Sequence, residues 1–121
     1  MSESAPAKPV GPYTPAVRAG DWLIISGQVG IANGKLVSGG TDGELRQAIA
    51  NLKGHLEANG ASLDDVVKTT VFLHHMSDYA LMNEIYTELF GDHRPARSAI
   101  GVSELPLGAL VELEAWAWLG A

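Results

Sequence analysis

The chain has no cysteine. Disulfide scaffolding, thiolate zinc sites and cysteine nucleophiles are therefore excluded, and a reducing compartment is compatible with the composition. Positive charge is scarce too: 8 Lys and Arg stand against 14 Asp and Glu, a formal net charge of −6. General polyanion binders need basic patches to neutralise phosphates, so nucleic acid is not an expected partner. No window approaches the ~20 apolar residues of a membrane span, and the opening MSESAPAKPVGP lacks the apolar core of a secretion signal. Membrane association is not expected, and cytoplasm is the default compartment. What remains is a chain of 121 residues, most economically one domain over 1–121. That length buries about two-thirds of its unfolded surface without metals or disulfides. Residues 1–9 read as a flexible arm.

The rest alternates strand and helix patterns. AVRAGDWLIISGQVG predicts a hairpin turning at Ala19-Gly20-Asp21, and Gly27 near its end suggests a bulge or a close backbone approach. Asn33-Gly34 carries a turn signal, after which Lys35-Leu36-Val37 returns briefly as a strand. Thr41 and Glu44 have capping-box spacing for a first helix, whose stripe is Leu45, Ile49, Leu52 and Leu56, with Asn59-Gly60 as the stop. A strand over Val66–Leu73 puts Val67, Thr69, Val71 and Leu73 on one face. A second helix, capped by Ser77 or Asp78, turns Leu81, Met82, Ile85 and Leu89 inward and ends at Gly91. Strands over Arg97–Val102 and Leu110–Leu119 close the chain. The order β-β-(β)-α-β-α-β-β predicts an α+β fold with both amphipathic helices on one face of a single sheet.

In LVELEAWAW the alternation places Val111, Leu113, Ala115 and Ala117 on one face and Glu112, Glu114, Trp116 and Trp118 on the other. Two carboxylates followed by two indoles suit neither a solvated face nor an ordinary core. This predicts that another subunit covers the second face, since aromatic anchors are favoured in interfaces. Arg97 reads as lying on a strand next to that of Glu112. It would bridge Glu112 or Glu114, bind a nucleic-acid phosphate, or hold the carboxylate of a small substrate. A nearby arginine would also lower the pKa of its glutamate and make that base weak.

Other groups carry weaker signals. His74 and His75 are adjacent at a strand end, expected to point apart, and do not suggest a metal site. GGTDG lacks the spacing and the lysine of a phosphate-binding loop. Ser26 and Ser98 read as backbone-bonding hydroxyls rather than nucleophiles. Tyr13 is a packing aromatic or a pocket rim, and Asn83 on the second helix has an ordinary backbone-bonding reading.

GPYTPAVRAG, IISGQVG, SLDDVVKTTVFL, MNEIYTELF and HRPARSAIGVSELPLGALVELEA, in that order, resemble the Rid/YjgF family of small imine deaminases from about Gly11 to Ala117. The resemblance implies a chorismate-mutase-like α+β fold, with a mixed sheet and two helices on one face. It also implies a homotrimer with sites between subunits, and hydrolysis of 2-aminoacrylate/2-iminopropanoate-type intermediates to 2-oxo acids and ammonia without a cofactor. On that basis Arg97 binds the substrate carboxylate and Glu112 orients or activates water, while Tyr13, Ser26, Gly27 and Asn83 line the pocket. A non-catalytic trimer that binds small carboxylates, with a regulatory role, is the alternative. Two departures are visible: Ala99 stands where relatives commonly carry cysteine, and VGIANGK replaces the usual proline-containing turn after SGQ.

Overall fold

Glycine-marked turns start the architecture. In the computed structural model, which describes Pro9 and residues 11–121, β1 (Ala16–Ala19) and β2 (Trp22–Val29) meet across Gly20-Asp21, with Gly20 at φ 62°. β3 (Ile31–Ala32) and β4 (Lys35–Leu36) form a separate two-stranded hairpin. Its turn residues Asn33 and Gly34 both have positive φ, 54° and 83°, the geometry that matches strand twist in a two-residue connection. The expected arm lies, Pro9 apart, outside the described residues.

There follow α1 (Gly40–Ala58), β5 (Val66–Leu73), α2 (Tyr79–Phe90), β6 (Ala96–Gly101) and β7 (Val111–Trp118). Five strands form one sheet in the order β1-β2-β7-β5-β6. The β5–β6 pair is parallel, because α2 carries the chain back between them, and the other pairs are antiparallel. Leu45, Ile49, Leu52 and Leu56 of α1, with Met82 and Ile85 of α2, join Leu23, Ile25, Val71, Leu73 and Leu113 in one buried cluster. Burying each such side chain stabilises by about 1.5–3 kcal/mol relative to exposure, and all of it lies on one side of the sheet. This is the mixed α+β architecture implied by the resemblance. No helix among the described residues is long and apolar enough to cross a membrane.

Several local expectations change. The chain enters α1 one residue before Thr41, through Gly39 at φ 106° with no side-chain cap. Thr41 therefore lies inside the first turn, and its hydroxyl donates to Asp78 Oδ2 at 2.6 Å. Asp78 precedes α2 but makes no side-chain cap to it. The carboxylate of Glu44, expected to complete the capping box, is buried and accepts the Leu110 N–H at 2.8 Å. Tertiary partners thus take both capping-box groups. On β5 a register shift between Val66 and Lys68 buries Val66 and exposes Val67, so Val67 is not on the core face; Thr69, Val71 and Leu73 are. α2 also buries Tyr86 and Phe90, while Leu81 and Leu89 are only partly buried.

Candidate active site

The bulge near Gly27 shapes one candidate cavity. Ile25 pairs with Ala115 and Gln28 with Leu113, so Ser26 and Gly27 together oppose a single β7 residue. Glu112, two residues before Glu114 on the same strand face, folds its carboxylate over the backbone of Gly27. A Cβ at position 27 would fall inside the envelope of Glu112 Oε2, so the carboxylate can take this position only over a glycine. Tyr13, Ser26, Gly27, Val29, Pro106 and Glu112 line a cavity of about 210 Å³. Ser26 Oγ is buried and, among the described residues, has no hydrogen-bond partner. A hydroxyl in that condition is an unmet donor and acceptor beside a cavity. The Glu112 carboxyl is pushed above its ordinary range, first by burial and then by the charge of Glu114.

A second cluster of candidate residues is built around Arg97. It pairs in register with Thr69, whose side chain faces the helices, so Arg97 projects to that side. Its guanidinium lies over the Tyr86 ring at 4.9 Å and donates to Tyr79 Oη at 3.2 Å and to Met82 Sδ at 3.4 Å. Tyr86 is held in turn by a 2.8 Å bond between its hydroxyl and Thr69 Oγ1. Asn83 is an α2 residue four positions after Tyr79 and three before Tyr86, and it is not among the residues lining the Glu112 cavity. Every partner of Arg97 is uncharged, and among the described residues it makes no ion pair. Full positive charge held in place by neutral groups is an arrangement suited to an incoming anion.

The two clusters do not meet within one chain. β5 separates β6 from β7, so the strands of Arg97 and Glu112 are not neighbours in the sheet, contrary to the expectation from chain order. Glu112 pairs with Phe72, on the face opposite to Thr69 and Arg97. The Arg97–Glu112 and Arg97–Glu114 bridges are therefore absent, and Glu112 is raised rather than lowered in pKa. Two further local expectations change. Ser98 accepts a 2.7 Å hydrogen bond from Lys68 Nζ instead of bonding the backbone. The His74 and His75 rings touch at 4.2 Å, because β5 ends at Leu73 and strand alternation no longer holds them apart. No group of three or more His, Asp or Glu among the described residues could hold a metal ion. The supports Tyr79 and Tyr86 were not singled out from the sequence; their only signal was an i, i+7 spacing around Met82.

Comparison with known proteins fits this geometry. The family model described as Endoribonuclease L-PSP matches residues 2–119. RutC family protein PH0854 of Pyrococcus horikoshii is 49% identical over 120 residues, covering 98% of this chain and 94% of that protein. The 2-iminobutanoate/2-iminopropanoate deaminase of Mus musculus is 47% identical over 118 residues, covering 96% and 87%. The crystal structure of RidA from the Antarctic bacterium Psychrobacter sp. PAMC 21119 superimposes with a TM-score of 0.90 at 38% identity, covering 98% of this chain and 96% of that one. The chain belongs to the Rid/YjgF family.

Proposed function

We propose that this protein hydrolyses reactive 2-imino acids, and the enamines that tautomerise to them, to 2-oxo acids and ammonia. The observation that carries this reading is Arg97, a fixed cation with only neutral partners, which suits the carboxylate common to such substrates. The deaminases among its relatives support the reaction class. The net charge of −6 opposes the polyanion substrate that the family description would suggest.

The catalytic unit in this reading is a homotrimer in the cytoplasm, a compartment suited to a cysteine-free composition. One subunit supplies Arg97 and Asn83, and its neighbour supplies Tyr13, Ser26, Gly27 and Glu112. The separation of these groups on opposite faces of the sheet supports the division. So does the open face, where Trp116 and Trp118 are each 41% exposed and pack edge-on against Trp22.

The chemistry asks little of the protein. With the carboxylate on Arg97, the protonated imine carbon is already electrophilic, and the site places a water beside it. Glu112, when ionised, takes a proton from the water as its oxygen bonds to that carbon. It then returns that proton to the nitrogen of the carbinolamine. As the C–N bond breaks, the hydroxyl oxygen becomes the carbonyl and gives its own proton back to Glu112 or to water, so that ammonia leaves and the 2-oxo acid remains. The raised pKa of Glu112 brings the carboxyl closer to that of a working acid–base group than an exposed one would be.

The test generates 2-iminopropanoate with an amino-acid oxidase and follows release of pyruvate. Wild type should accelerate release beyond the rate in buffer. An Arg97→Ala protein of unchanged assembly should lose roughly 100-fold in kcat/KM, the effect of removing a charged hydrogen-bonded anchor. Equal rates for the two proteins would show that Arg97 does not hold the substrate. Binding of pyruvate without any acceleration would favour a non-catalytic carboxylate receptor.

A further inference from the structure

Arg97 leaves a consequence for Tyr79. A guanidinium is donor-only, so in the 3.2 Å contact the Tyr79 oxygen accepts from Arg97 Nη2. The phenolic proton therefore points away from Arg97, and the hydroxyl makes no other side-chain or backbone hydrogen bond among the described residues. Tyr79 is 41% exposed, so that proton is within reach of a small ligand. Its position is fixed from behind: Tyr79 is the first residue of α2, and the preceding Asp78 is tied to α1 by the Thr41 hydroxyl. Nη2 keeps a second N–H. Two donors on atoms 3.2 Å apart, one cationic and one neutral, suit the two oxygens of one carboxylate.

We infer that Tyr79 is a second donor to the substrate carboxylate, so that a guanidinium–phenol pair holds the anion where the arginine alone was expected to. The inference rests on the deaminase reading of the Arg97 site and adds a residue that governs affinity for the carboxylate. The phenol contacts the carboxylate and not the reacting carbon, so its contribution is equal in the ground and transition states. It belongs in KM rather than in kcat.

The experiment compares wild type with Tyr79→Phe, which keeps the ring and removes the hydroxyl, in the 2-iminopropanoate assay and in calorimetric titration with pyruvate. KM and the pyruvate Kd should each rise about tenfold, the size of one hydrogen bond to a charged group, with kcat within about twofold of wild type. Thermal stability should not change. In an Arg97→Ala background, adding Tyr79→Phe should cost no further affinity, because both groups act on one carboxylate. If Arg97→Ala abolishes pyruvate binding but Tyr79→Phe binds as wild type does, the Tyr79 inference is overturned and the deaminase reading stands. A Tyr79→Phe protein that loses kcat and thermal stability together with affinity also overturns it, by showing a packing role. If Arg97→Ala still binds pyruvate normally, the site reading fails, and the inference with it.

Discussion

Glu112 and Glu114 stand two residues apart on one face of β7. Burial and the charge of Glu114 both raise the Glu112 carboxyl above its ordinary value of 4.5. In the proposed mechanism the ionised form accepts the proton from water, so activity should fall as pH drops through the Glu112 pKa. A raised pKa moves that acid limb to higher pH. Replacing Glu114 with Gln removes a like charge and lowers the Glu112 pKa, so the limb of the kcat/KM profile should move to lower pH while activity at neutral pH persists. Glu112→Gln should abolish acceleration at every pH. The reverse pattern, with Glu114→Gln inactive and Glu112→Gln competent, would assign the water-activating role to Glu114. A pH-rate series on the three proteins decides between them.

At the scale of elements, the β2 bulge and the Gly27 backbone give the Glu112 carboxylate its seat. Gly27→Ala introduces a methyl where Oε2 lies, and the carboxylate must move. We expect about 10²-fold loss of kcat, as for a reacting group misplaced by about 1 Å, with the far-ultraviolet spectrum retained. Unchanged kcat would mean that the carboxylate seat is unimportant. The start of β7 is held from the other side by Glu44, buried in α1 and bonded to the Leu110 N–H. Gly30 allows this approach, since a Cβ there would meet the α1 backbone at Glu44. Glu44→Ala leaves a part-buried N–H unsatisfied and should cost about 1 kcal/mol, read from a denaturant midpoint at unchanged slope.

For the whole molecule, the proposed division of the site between subunits would make assembly and activity inseparable. Trp118→Lys puts a charge on the exposed indole face. It should shift the sedimenting species from about three times the mass of one chain to a single chain, with loss of imine hydrolysis. Arg97→Ala and Glu112→Gln proteins, each inactive alone, should regain roughly a quarter of wild-type activity when dissociated, mixed in equal amounts and reassembled. Random mixing places an intact Arg97 opposite an intact Glu112 at that fraction of interfaces. No recovery from efficiently mixed subunits would show that both groups act from one chain.

Period and punctuation carried most of the fold. Alternation in LVELEAWAW assigned both faces of β7, the α1 stripe predicted four buried leucine and isoleucine positions, and Asn33-Gly34 and Asn59-Gly60 marked real reversals. These signals are local, and local backbone geometry obeys them. Arg97, Glu112 and the Gly27 approach were also legible as notable residues, because charge on a strand and glycine near a strand end are uncommon. Their relation was not. Chain order made β6 and β7 look adjacent, but β5 inserts between them, and a strand's neighbour is a long-range choice that no window of sequence contains. The Val66–Lys68 shift and the diversion of Thr41, Glu44 and Asp78 to tertiary partners have the same origin. The sequence by itself determined which residues form strands, helices and a one-sided core, through side-chain periodicity. Only the tertiary structure decided that Arg97 has neutral partners on one face of the sheet and Glu112 a buried seat on the other, because pairing and packing set a side chain's surroundings.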